Sequence, residues 1–450
     1  MVVNEYIKCQ VCGSITRIRL QVGKLEQHPV VVSCGKCKTS LTGVVFIGQD
    51  NPSIEFRFDN ANIVNNYDFD AGDYFAECSG EFPVQKQHED GSENLISISP
   101  FITQMSMISD IDMIEEYYRS LSGLNDTCKK WKSYKRILDL FEGNSQYLEQ
   151  EIRKEFRGSA FPCKTEPEIL HTVHMIEILG FCTYLKPEIV KDLKFTDDLL
   201  RLNPVQMKEL NNYLDSHDGY NLKQMQSQIY RILDSFVHVY PALIPALSVE
   251  YIGDDKFDYE NKGTTTSTFE TVKQFYLDAY ETLGNIMIIP VALNNISYRG
   301  DLNVSDTINS KTCTLDEYIG LTKANRYHFC TDHEKYTSFL KLKYNAKLRN
   351  AIGHNDVEYD TVSQLITYIP NPKDRTRKET EYLMQFELEA LHMFEAILAV
   401  SEYLYRLREL KFMQAGNMES ILGMAKKIGV YDLCPCGSGQ KYKFCHMKKK

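Results

Sequence analysis

Two clusters of potential metal ligands, one towards each end of the 450-residue chain, constrain the fold more than any other feature. The first is Cys9, Cys12, Cys34 and Cys37, two CxxC pairs separated by twenty-one residues. Each pair is a tight turn that aims two thiolates at one point. A strand pair between them closes an S4 tetrahedron suited to zinc. A redox pair is the poorer reading, because no thioredoxin-like βαβ pattern surrounds it. The second cluster lies in CPCGSGQKYKFCH, where Cys434, Cys436, Cys445 and His446 make a further set of four, and Gly437 and Gly439 permit a tight reversal. Four protein ligands per site imply two structural Zn2+ sites with no open catalytic position.

The first unit resembles a zinc ribbon. The second resembles the SEC-C module found at the end of a protein-export ATPase and in many otherwise unrelated bacterial proteins. Gln440 stands where that family usually has a basic residue, and Met447 where Gly commonly follows; neither is a ligand. The resemblance implies zinc plus a basic surface that docks a protein partner or nucleic acid. It also points towards a bacterial source.

The other six of the thirteen cysteines (Cys78, Cys128, Cys163, Cys182, Cys313 and Cys330) have no ligand spacing and read as buried thiols. The N-terminus shows no basic segment followed by an apolar one, so no secretory signal is expected and the compartment should be reducing, hence cytoplasmic. No run of about 18 apolar residues stands out, so no membrane partner is expected. A formal charge of −10 excludes wholesale coating by nucleic acid. Any such contact must be local. Candidates are the lysine-rich last ten residues and the cluster Lys373, Arg375, Arg377 and Lys378, for which a solvated tail and a solvated loop are equal readings.

Residues 1–82 read as a small β module, with β-rich runs at 30–32, 43–48 and 54–58 between turn residues. A polar, periodless stretch at 83–97 reads as a linker. Helical periodicity then recurs at 113–121, 131–141, 169–179, 205–214 and 225–236, giving a helical domain over 98–260 in which Pro241 and Pro245 should break the run. A second helical domain is expected over 261–415, with helices from 269, over 336–348 and over 378–410, and a strand and basic turn before the last. The zinc motif occupies 431–450. The expected fold class is therefore mainly α: a helical-bundle body with a small N-terminal β zinc ribbon and a C-terminal zinc knuckle.

Within KLRNAIGHND, Arg349 is followed by Asn350 and then by His354. Phosphodiester cleavage needs an arginine to hold phosphate, a histidine that exchanges protons near neutral pH, and a polar neighbour to fix their geometry. Spacing alone is weak, since Arg231 with His238 and Arg326 with His333 also fit; only Arg349 has Asn directly after it and a long amphipathic helix downstream. This motif resembles the RxxxxH signature of HEPN domains, helical bundles of which many are metal-independent ribonucleases. The resemblance implies an HEPN-like body over about 265–412, an RNA substrate, cleavage by 2′-hydroxyl attack, a homodimer with a composite site, and a role as a bacterial toxin or antiphage effector.

The competing reading is a non-catalytic zinc-stabilised adaptor for a protein or ribosomal partner. A metalloenzyme is disfavoured because both metal sites are saturated by protein ligands. His171 and His174, three apart on an expected helix, read as core or surface histidines. No phosphate-binding Gly loop or GxSxG elbow is present.

Overall fold

The computed structural model describes the chain apart from residues 49–52, 65–71, 88–97, 109, 157–160, 186–198, 200–201, 254–255, 309–310, 416–430, 432–440 and 446–450.

Among the described residues seven strands come first along the chain: β1 (Val2–Cys9), β2 (Ile15–Gln21), β3 (Gln27–Ser33), β4 (Ser40–Ile47), β5 (Ile54–Phe58), β6 (Ala61–Ile63) and β7 (Tyr74–Ser79). They form a four-stranded sheet, ordered β6-β1-β2-β7, and a three-stranded sheet, β3-β4-β5. The β2–β7 pair is parallel, and the other strand pairs of these sheets are antiparallel. Alternation of side chains along a strand explains the core: Ile18 and Leu20 of β2, Val30 and Val32 of β3, and Leu41 and Val45 of β4 are all buried in one cluster.

This unit is welded to the helices rather than tethered to them. Leu25 and Phe82 belong to the main helical core, the Val31 N–H donates to the Thr265 carbonyl at 2.8 Å, and the Tyr117 hydroxyl donates to the Glu81 carbonyl at 2.7 Å. Two further strands, β8 (Val84–Gln85) and β9 (Lys262–Gly263), pair across the junction.

The helices that position the sites are α1 (Pro100–Met107), α2 (Ile111–Glu142), α3 (Leu148–Glu155), α4 (Glu166–Glu177), α5 (Pro204–Ser216), α6 (Leu222–Val249), α7 (Phe269–Ile286), α8 (Ile288–Asn294), α9 (Ala346–Gly353) and α10 (Leu383–Gln414). The core lies where α6, α7 and α10 meet. There Phe236 stacks on Phe394 with centroids 3.9 Å apart, and Tyr276 tilts against Phe386 at 4.5 Å. Between α9 and α10 the chain makes an antiparallel sheet of β10 (Val357–Asp360), β11 (Leu365–Tyr368) and β12 (Glu379–Tyr382).

The expectation of a mainly α chain with an HEPN-like bundle body is overturned. The chain is 52% helical and 17% strand in four small sheets, and its N-terminal region is a β-rich domain in its own right. The extra strands arise where sequence-distant segments meet. Residues 379–382, read as the start of a helix, extend instead to pair with β11, and β7 returns to lie beside β2.

Two local expectations also fail. Pro241 and Pro245 do not end a helix but lie inside α6. An interior proline costs about 3 kcal/mol, and that is outweighed by burying Leu243, Ile244, Leu247 and Val249 at roughly 1.5–3 kcal/mol each. As a result α6 is long and apolar enough to cross a membrane, although 72% of that apolar window is buried inside the protein. The helix expected over 336–348 is a short 3-10 turn at Ser338–Leu340 followed by α9 from Ala346. Tyr344 stacks on Tyr280 at 3.8 Å and donates to its carbonyl, and this anchoring decides the backbone that periodicity alone made helical.

Candidate functional site

The first metal cluster is built by two matching turns. One joins β1 to β2, the other β3 to β4. In each, the N–H of the residue after the second cysteine donates to the first cysteine's carbonyl: Gly13 to Cys9 at 3.0 Å, Lys38 to Cys34 at 2.9 Å. Both Gly13 (φ 75°) and Lys38 (φ 60°) adopt left-handed backbone, which releases the chain from the knuckle. Gly35 is required for a different reason. A Cβ there would meet the Tyr74 ring at 1.9 Å.

The four ligand sulfurs lie within 4.8 Å of one another. Cys9 and Cys37 Sγ are 3.7 Å apart, and Cys12 and Cys34 Sγ 3.5 Å. Tetrahedral zinc with Zn–S bonds of about 2.3 Å places its sulfurs about 3.8 Å apart, so the residues fit the ion. Two of the donors are biased towards the thiolate and one against it. Ser14 Oγ, 2.9 Å from Cys12 Sγ, holds that thiol down at about 6, and Thr39 lowers Cys37. Burial pushes Cys9 up to about 11.

Of the second metal set, Cys434, Cys436 and His446 lie outside the described residues, and Cys445 ends a short helix, Tyr442–Cys445.

Arg349 and Asn350 sit in the second half of α9, and His354 caps its C-terminus. His354 and Asn350 are exposed. The Arg349 Nε donates to Glu281 Oε1 at 2.8 Å, and its Nη1 donates to Asn350 Oδ1 at 3.3 Å. The guanidinium lies beside Gly353, with Nη1 3.6 Å from where a Cβ there would stand. Glu281, on α7, also binds Lys323. Burial would raise the Glu281 carboxyl, but Lys323 and Arg349 more than reverse this and hold it below the usual range.

The basic turn between β11 and β12 reaches the same place. Arg375 Nη2 bonds Asp356 Oδ1 at 2.7 Å, two residues beyond His354. Arg377 and Lys378 are already paired with Glu379 and Glu358 at 3.4 and 3.3 Å, and Lys373 is exposed. The fold thus carries Arg349, Asn350 and His354 on one helix, ties Arg375 to the segment just after it, and leaves most of the basic turn locally neutralised.

The two competing Arg/His pairs separate on structure. Arg326 is 7% exposed and donates to the carbonyls of Leu321, Gly284 and Ile319, a purely architectural use. Arg231 and His238 are exposed on α6, and the His238 ring bonds the Asp234 carbonyl.

Spacing did not reveal the most developed polar cluster in the helical region. His174 Nε2 lies 2.7 Å from Glu402 Oε2, its ring stacks on Tyr405 at 4.0 Å, and Glu177 approaches its other nitrogen at 3.9 Å. Arg406 Nε donates to Glu402 Oε1 at 2.8 Å, and His171 Nδ1 bonds the Tyr405 hydroxyl at 2.9 Å. Burial alone would lower His174, but Glu177 and Glu402 outweigh it and hold the imidazole up at about 9. The cluster joins α4 to α10 through residues 228 positions apart, a pairing no local spacing can announce.

Comparison with known families identifies a SEC-C motif at residues 432–448, the segment holding Cys434, Cys436, Cys445 and His446. No curated protein and no solved structure matches the chain.

Proposed function

We propose that the protein is a metal-independent endoribonuclease of the RxxxxH type, carrying two structural zinc ions, whose cleavage site is Arg349, Asn350 and His354. One observation carries this reading: an exposed histidine at the end of the helix that carries Arg349 and Asn350, with a basic turn clipped beside it by Arg375 and Asp356. The RNAIGH motif supports it, independently of the fold of the body. His354 takes the proton from a ribose 2′-hydroxyl or delivers one to the leaving 5′-oxygen. Arg349, oriented by Glu281 and Asn350, stabilises the charge that builds on the phosphorane. The product is a 2′,3′-cyclic phosphate, and DNA, lacking the hydroxyl, is not cut. A homodimer that brings two such helix ends together completes the site, and growth arrest as a bacterial toxin or antiphage effector in the cytoplasm is the role this activity fits.

The test is RNA cleavage by purified protein without added divalent cations. His354→Ala should lower the rate by roughly 10²–10⁴-fold with an unchanged melting temperature, because the side chain is exposed. Equal cleavage by the variant rejects the ribonuclease.

The SEC-C match at 432–448 favours a second reading, an adaptor whose zinc modules dock a protein or ribosomal partner. A stoichiometric partner together with no cleavage of any RNA is the outcome that selects it.

A further inference from the structure

A cavity of about 510 Å³ opens between the C-terminal ends of α2 and α10 and the N-terminal ends of α4 and α6, within the size range of small-molecule sites. Its walls carry polar groups that the protein leaves unused. Among the described residues, Arg408 on α10 lines the cavity with no hydrogen-bond acceptor and no carboxylate at ion-pair distance, resting only over the Phe141 ring at 5.4 Å. Tyr230 on α6 lines the same cavity, is 6% exposed, and its hydroxyl has no hydrogen-bond partner among the described residues. Both groups open onto the cavity, so a ligand seated there can take hydrogen bonds that the protein itself does not supply. Burial lowers Arg408 from the usual arginine range, and Tyr230 and Glu177 only partly oppose this.

The chemistry of the walls narrows that ligand. A guanidinium fork matches phosphate oxygens bidentately. Phe141, Tyr230 and Phe412 supply aromatic surface for a flat ring. Glu142, also in the wall, can accept hydrogen bonds from amino or hydroxyl groups, whereas Glu149 beside it is already paired with Arg153. Cation, aromatic surface and carboxylate together suit a phosphate, a heteroaromatic base and a hydroxylated sugar. We propose that this cavity is a binding site for a nucleoside monophosphate, its phosphate on Arg408 and its base against the aromatic wall.

Occupancy would also reach the buried polar cluster. Gln226, in the cavity wall, donates to Glu177 Oε1 at 3.0 Å, and Glu177 in turn approaches His174.

The decisive measurement is calorimetric titration of the full-length protein with AMP, GMP, adenosine, guanosine and inorganic phosphate. A nucleoside monophosphate should bind, with the free nucleoside and phosphate alone each weaker by on the order of tenfold or more. Arg408→Gln should weaken the nucleotide by on the order of 10- to 100-fold, while the ligand-free melting temperature stays level or rises because an unpaired, partly buried cation has been removed. If that variant fails to fold, Arg408→Lys, which keeps the charge but loses the fork, should show a loss of binding in the same direction. Arg349→Ala must bind as wild type. No binding of either nucleotide, binding unchanged by both Arg408 substitutions, or binding lost in Arg349→Ala would each overturn the proposal.

Discussion

Cys34→Ser should cost the protein one zinc per chain and most of the stability of residues 2–79. Cys34 is fully buried and Cys9 only 1% exposed, so without the ion their sulfurs and those of Cys12 and Cys37 face one another across less than 4.8 Å with nothing to hold them. Structural zinc contributes roughly 10–16 kcal/mol in comparable small modules, a contribution that vanishes with the site. The loss will not stay local, because Leu25 and Phe82 share the helical core and Thr265 is bonded to both β3 and β7. Metal analysis and a thermal melt followed by circular dichroism check this. A variant with undiminished zinc content and the wild-type melting temperature would show that the cluster is four ordinary thiols. Chelation of the wild type should reproduce the variant's loss of β structure.

The second large effect is expected at His174. His174→Ala leaves Glu177 and Glu402 buried beside an empty space. Breaking one partner of a buried pair costs about 3–5 kcal/mol, or a fall in melting temperature of roughly 3–5 °C for a chain of this size. The dependence on pH follows from the two shifts. The folded-state value of His174, about 9, lies above the ordinary 6.5, so its contribution is complete below 6.5 and is lost as pH rises through 9. Burial opposes ionisation of Glu402, yet His174 and Arg406 hold its carboxyl down at about 2 against an ordinary 4.5; its contribution is present above 4.5 and is lost as pH falls through 2. The gap between wild type and variant should therefore be widest between pH 4.5 and 6.5 and close by about pH 9. Combining His174→Ala with Glu177→Gln should recover part of the loss, since Glu402 keeps Arg406 whereas Glu177 is left, among the described residues, without a cation at ion-pair distance. A gap that is flat across this range would mean that His174 is neutral in the native state.

What the sequence determined by itself is what is local. The CxxC pairs announced the knuckles because two residues of spacing suffice to aim two thiolates, and the structure adds only that the two turns share one hydrogen-bond pattern. The terminal CPCGSGQKYKFCH segment was legible on the same ground and is matched as a SEC-C motif. The stripe Phe269, Val272, Tyr276, Ala279 and Leu283 likewise marked α7, whose entry is set by Thr268 at the N-cap. Arg349, Asn350 and His354 could be picked out together because a helix carries them along one stretch of chain.

Tertiary structure alone decided the rest. Pro241 and Pro245 looked like breakers until burial across α2, α7 and α10 outweighed their cost, and residues 379–382 became a strand only because β11 was there to pair with them. Glu281, which holds Arg349, and Lys323, which shares that carboxylate, come from 68 and 26 residues upstream of Arg349, and His174 finds Glu402 from 228 residues away. Spacing encodes contacts that close within a turn or two. A contact between distant segments depends on the summed packing of everything between them, and no single stretch of residues carries that sum.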